Sequence, residues 1–205
     1  MRRTKEQAEQ TRTSILASAE VLFLEKGVAH TSLEHIAKHA GVTRGAVYWH
    51  FQNKAHLFHD MLSQVRLPPE QLAGRLQEDQ ANGLQSLHAL CVEGIAGIAK
   101  DEQKRRIFTI LLHRCEFTEE LREAEERHDA FVNQFIALCE GIFAQPATMR
   151  RLRPGMTPRL AARTLHALIV GMLSDWLRDD KLFDPVQDGP VMFDGLFRGL
   201  ISDWS

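Results

Sequence analysis

The chain contains no uninterrupted apolar run long enough to cross a membrane, and its first residues, MRRTKEQAEQT, are too polar for a secretion signal. Both absences point to a cytoplasmic protein. Cysteine is scarce: Cys91, Cys115 and Cys139 are widely spaced, odd in number and form no C-x-x-C pair. That excludes a disulfide framework and makes buried thiols the first reading. No phosphate-binding glycine loop, paired-carboxylate or nucleophile constellation stands out, and no pair of Glu-x-x-His motifs exists to build a di-metal bundle. His56 and His59 lie one turn apart beside Asp60, a spacing read as a solvated polar face rather than a metal site. The expectation is a protein that is not an enzyme and holds no cofactor or metal. Strand-length alternation of apolar and polar residues is missing too, so the fold should be all-α.

What is present begins with charge. The formal net charge of −2 hides an asymmetry, because residues 1–66 hold nine Lys/Arg against six Asp/Glu, a surplus of +3. The remaining 16 Lys/Arg against 21 Asp/Glu leave −5, and six of the ten histidines also fall in the first 66 residues. A basic first third on an acidic body orients a protein towards a polyanion.

Periodicity then places the helices. Ile15, Ala19, Leu22 and Phe23 recur on one helical face between about Arg12 and Lys26, with Gly27 as a left-handed cap. Thr31 is read as opening a capping box with Glu34, and Leu33, Ile36, Ala37 and Ala40 as the stripe of a second helix. Gly41 supplies a turn and Thr43 caps a third helix. In that helix Ala46, Val47 and Phe51 face the core, leaving Arg44, Gly45, Tyr48, Trp49 and His50 outward, with a core position against the first helix as the alternative for Trp49. Aromatics and a glycine on an exposed helix face do little for stability, but they suit a helix that approaches a DNA groove closely. Asn53 caps a fourth helix, with Lys54 beside its positive end as a candidate phosphate contact.

Residues 12–54, and above all the run T-R-G-A-V-Y-W-H-F-x-N-K, resemble the DNA-binding domain of the TetR family of transcriptional regulators. The resemblance implies DNA contacts by Thr43, Arg44, Gly45, Tyr48, Trp49, His50 and Lys54, with Thr31 as a backbone anchor. It divides the chain into a helix-turn-helix DNA-binding domain at 1–54 and a ligand-binding and dimerisation domain at 55–205.

After Leu67-Pro68-Pro69, which should end the fourth helix, the chain offers a polar helix candidate at Gln71–Gln80 and more apolar helices beyond it. Gly94 and Gly97 inside one of these each cost about 1 kcal/mol relative to alanine, which close helix contact or room for a ligand would justify. Gln145–Met156, with proline, glycine and three arginines, reads as a loop. The segments IFTILLHRCEF and TLHALIVGMLSDWLRDDKLFDP resemble the TetR branch that represses multidrug efflux pump genes. That branch implies a homodimeric repressor on a palindromic operator, released by a small hydrophobic effector. Candidate pocket walls are Phe108, Leu111, Leu112, Phe135, Cys139, Ile169 and Leu173, and apolar Phe108, Leu112 and Val170 favour a dry ligand. The dimer is expected through helices at 158–178 and 190–204, using Leu165, Leu168, Met172, Trp176, Phe193, Phe197 and Leu200. The alternative is a redox-sensing DNA-binding regulator whose switch is Cys115 or Cys139.

Overall fold

The computed structural model describes residues 5–66, 74 and 82–204. The arginines at 2 and 3, the double proline and most of the polar helix candidate lie outside these residues. Helices α1 (Lys5–Lys26), α2 (Leu33–His39), α3 (Arg44–His50) and α4 (Lys54–Ser63) come first. They are followed by α5 (Gly83–Lys100), α6 (Glu102–Thr109), α7 (Arg122–Phe143) and the short α8 (Pro146–Met149). The last two are α9 (Pro158–Arg178) and α10 (Gly189–Leu200). Among the described residues the sole β-type contact is an isolated antiparallel bridge, Leu152 to Ile201.

Two compact units emerge. One holds the described residues up to Arg66 together with Arg106–Asp129, and the other takes the remainder. The first is therefore larger than the expected 1–54 domain. Phe58, Met61 and Leu62 of α4 share one core with Phe23, Val47 and Phe51, and Ile107, Ile110, Leu121 and Ala124 complete it. Each of the larger side chains, fully buried, stabilises the fold by about 1.5–3 kcal/mol. Polar ties reinforce it: Arg12 Nη2 lies 2.6 Å from Asp60 Oδ2, and Arg106 pairs with the buried Glu20. Burial pulls the Arg66 guanidinium down to a pKa of about 10 where it bonds His128. The lone Glu-x-x-His run, Glu125–His128, is thus spent on structure, for the His128 ring also stacks on Phe117.

The start of α2 differs from expectation by one residue. Ser32 is the N-cap: its Oγ accepts from the His35 amide at 3.2 Å, and its own amide donates to His35 Nδ1 at 3.4 Å. Thr31, 1% exposed, instead donates its hydroxyl to the Gly27 carbonyl at 2.9 Å. That hydroxyl faces back towards the end of α1, so it is not free to cap forward. The turn between α2 and α3 needs a left-handed residue, and Gly41 supplies it at φ +66°. Beyond α6 the helix widens into a π turn, Ile110–Arg114, whose Arg114 carbonyl accepts from the Val28 amide at 2.9 Å.

In the second unit α10 packs on α5. Phe193, Phe197 and Leu200 are buried, as are Leu84, Leu87 and Ile95. Gly94 and Gly97 are not there for close packing, since a Cβ at either would meet nothing within 4 Å. The expected loop at Gln145–Met156 contains α8, and Arg151 and Arg153 are tied to residues 198–203. The Ser202 amide donates to the Arg151 carbonyl at 2.8 Å, and Arg151 Nε lies 2.7 Å from Asp203 Oδ1.

Replacing Ser32 by alanine should cost about 1 kcal/mol, read as a lower urea midpoint at unchanged slope, whereas Glu34→Ala should cost almost nothing. Equal losses in the two variants would remove the capping assignment.

Candidate nucleic-acid interface

The sequence of α3 divides its seven residues between two faces. Val47 is fully buried and anchors the helix, while Thr43 Oγ1 accepts from the Ala46 amide at 3.2 Å and fixes its start. Arg44, Gly45, Tyr48 and Trp49 are exposed and His50 is half-buried. Trp49, read as outward with a core position as the alternative, is 72% exposed, with its ring edge-on to His50 at 4.5 Å. The Arg44 guanidinium lies 5.3 Å from the Tyr48 ring centroid and 3.5 Å from its hydroxyl, a hydrogen bond that raises the Arg44 pKa above its ordinary value. Stacking of this kind holds the guanidinium fork extended and ready for a paired acceptor. At Gly45 a Cβ would come no nearer than 3.9 Å to any atom, that of Thr43 Oγ1, so the protein's own packing does not require glycine there.

Two expected contact residues are turned inward. Lys54 is 3% exposed, and its Nζ donates to the carbonyls of Val28 at 3.0 Å and Thr31 at 3.1 Å. Glu120 Oε2 sits 2.7 Å away and takes the third proton. An ammonium with all three protons engaged inside the protein has none for a phosphate, so Lys54 leaves the contact set. Thr31 leaves it as well, because its buried hydroxyl is bound to Gly27. Ser32, passed over in favour of its neighbour, is exposed at the head of α2; the one-residue offset between two adjacent hydroxyl residues hid it.

A buried hydrophobic anchor and an exposed Arg-Gly-Tyr-Trp face on the second of two short helices make a helix-turn-helix. Residues 15–61 match the family described as bacterial regulatory proteins, tetR family, and residues 82–204 match the C-terminal region of MAATS-type transcriptional repressors. The chain belongs to the TetR family. It is 34% identical over 203 residues to the HTH-type transcriptional repressor BepR of Brucella suis, spanning 98% of this chain and 96% of that protein. The crystal structure of NalD, the secondary repressor of the MexAB-OprM multidrug efflux pump in Pseudomonas aeruginosa, superposes with a TM-score of 0.94. Identity there is 62%, over 98% of this chain and 100% of that one. A SmeT–triclosan complex is 30% identical, with a TM-score of 0.78 over 95% of this chain and 93% of that one; SmeT represses the Stenotrophomonas maltophilia pump SmeDEF.

For this TetR-family regulator the other expected residues fall as follows. Of the pocket candidates, Phe108, Leu111 and Leu112 belong to the first unit, where Leu111 is 7% exposed in the core shared with α1 and α4. Phe135, Cys139, Ile169 and Leu173 belong to the second, with Cys139 and Leu173 buried and Phe135 and Ile169 half-buried. The dimer residues need correcting. Leu165, Met172, Trp176, Phe193, Phe197 and Leu200 are all at most 5% exposed within the protomer, so they have no surface to give a partner, and Leu168 is half-buried. Trp176 additionally lies under the Arg105 guanidinium at 5.0 Å. The opposite faces of the same helices are open: Leu160, Thr164, Ala167 and Gly171 on α9, and Val191, Gly195 and Gly199 on α10.

The thiol alternative also fails on chemistry. Burial pushes Cys115 and Cys139 each up to about 12, and Cys91 is raised in the same direction by burial. The reacting species is the thiolate, which is then almost absent near neutrality. Alkylation of these cysteines by iodoacetamide at pH 7.5 should run at least about a hundredfold slower in the native protein than in urea, followed by mass spectrometry. A native thiol that labels at the unfolded rate would reopen the redox reading.

Proposed function

We propose that the protein is a ligand-responsive repressor that binds a palindromic operator as a homodimer, controls a multidrug efflux pump operon and is released by a small hydrophobic effector. The likeness to NalD carries this reading, because it extends at 62% identity through both units rather than through the DNA reader alone. Thr43, Arg44, Gly45, Tyr48, Trp49 and His50 form the groove-facing surface. Arg44 reads a guanine edge or a phosphate, and Tyr48 and His50 hold the backbone. Two such helices about 34 Å apart on a dimer meet successive major grooves. An effector lowers DNA affinity by binding better to the state whose reader spacing does not fit, and only by that difference in affinity.

The dimer face follows from the corrected burial. Leu160, Thr164, Ala167 and Gly171 recur at i, i+4, i+7 and i+11, and Val191, Gly195 and Gly199 at i, i+4 and i+8. A Cβ at Gly171, Gly195 or Gly199 would meet nothing within 4 Å. Two small-residue stripes with Val191 standing 69% exposed beside them suit close packing of the same two helices from a second copy.

Two experiments test this. The wild-type protein should select a palindromic duplex from a random pool; Arg44→Ala should bind that duplex roughly tenfold to hundredfold more weakly, and triclosan should release the wild type while raising its Tm. Failure to enrich any duplex overturns the repressor reading, and unchanged binding by Arg44→Ala overturns the contact assignment. Gly195→Arg should sediment as a monomer in analytical ultracentrifugation with its helical content intact. A persisting dimer would place the interface elsewhere.

A further inference from the structure

Lys54 is the first residue of α4, where a positive side chain opposes the helix dipole, and it is almost wholly buried. Neither helix propensity nor packing asks for a cation there. Its environment accounts for it: three acceptors surround three protons, and two of them are backbone carbonyls of the six-residue connection from α1 to α2. That connection is gripped throughout. The Val28 amide donates to the Arg114 carbonyl, the Val28 and Thr31 carbonyls accept from Lys54, and Thr31 Oγ1 ties back to Gly27. Ser32 follows at once as the N-cap of α2.

Carbonyl dipoles alone do not neutralise a buried ammonium. A carboxylate does so, and Glu120 is the one that contacts Nζ, at 2.7 Å. Glu120 comes from a single 3-10 turn, Glu119–Leu121, that is itself fixed: Leu121 is fully buried and its amide donates to the Thr118 carbonyl at 2.8 Å. The neighbouring Glu119 is taken by Arg122 at 3.2 Å and does not compete. The carboxylate is therefore delivered from a rigid base, although its own side chain is 58% exposed.

We propose that Glu120 is a positioning residue for DNA reading: its carboxylate holds the Lys54 ammonium on the Val28 and Thr31 carbonyls and so sets the angle at which α2 and α3 are presented to the groove. This rests on the DNA-binding reading above. Glu120 touches no base or phosphate. Without its charge the ammonium turns towards water, the two carbonyls lose the ammonium that ties them to α4, and the cap of α2 is no longer held against the rest of the unit. Sequence-specific binding, which needs the reader at one angle, suffers; loose attraction to any duplex, which needs only the surface charge, does not.

The test uses the full chain and the duplex that the wild type selects from a random pool. Glu120→Gln keeps the size and removes the charge, and its exposure makes unfolding no concern. It should bind the selected duplex about fivefold or more weakly, with affinity for a scrambled duplex unchanged and Tm within about 2 °C of wild type. Glu120→Asp, which keeps the charge, should recover at least about half of the wild-type affinity. Wild-type binding by Glu120→Gln overturns the proposal. So does equal weakness of the Asp and Gln variants, or a fall in Tm that tracks the loss of affinity, since either makes the role structural. If the wild type enriches no duplex, the function reading falls first and this inference with it.

Discussion

A buried ammonium is expensive to keep, and the first unit is arranged around keeping one. Removing a charge of this kind from water costs several kcal/mol unless every proton finds an acceptor. At Lys54 the acceptors come from two separate parts of the chain: the α1–α2 connection, which gives the Val28 and Thr31 carbonyls, and the turn ahead of α7. Satisfying that one group therefore fixes segments that lie 23 to 66 positions from it in sequence. The hydrophobic cluster of Phe23, Phe51, Phe58 and Leu121 supplies the larger share of stability, but it is non-directional. The lysine and its acceptors give direction to the small helices that carry the DNA-reading face.

Much of this was readable from residues alone, and the failures have physical causes. Helical spacing located the buried faces of α1 and α2, and the placement of Val47 inward with Arg44 and Tyr48 outward followed from the same rule. Where two hydroxyl residues adjoin, propensity does not choose between them; Ser32 caps because the backbone there is extended, at φ −97° and ψ 159°, and because His35 Nδ1 accepts the return bond. Lys54 looked like a phosphate contact because a cation beside a helix N-terminus usually is one. What sequence cannot display is a ring of acceptors brought in from residues 28, 31 and 120.

The dimer residues failed for a different reason. On a helix with apolar groups around most of its circumference, periodicity identifies faces but not which faces inward. In α9 and α10 the bulkiest residues, Leu165, Trp176, Phe193 and Phe197, fill the protomer, and the outside mixes small residues with Leu160, Val170 and Val191. Size was the better signal for the interior: the bulkiest side chains go where cavities must be filled, and the outer faces keep Thr164, Ala167, Gly171, Gly195 and Gly199 beside Leu160 and Val191. The cysteines follow the same logic, because a small thiol buried at Cys91 or Cys139 behaves as a core atom and not as a reagent.

Trp49 has an optical consequence. The chain holds three tryptophans; Trp176 is 5% exposed and covered by an arginine, and Trp204 is packed against Phe197 with ring centroids 4.7 Å apart. Trp49 alone stands open to water, so its indole emits at the red end of the protein's fluorescence and is the one most accessible to iodide. On the reading proposed above, the residue at the groove is thus a built-in fluorophore. Its blue shift and its protection from quencher would then report docking directly, without a label, and on the proposed reading face.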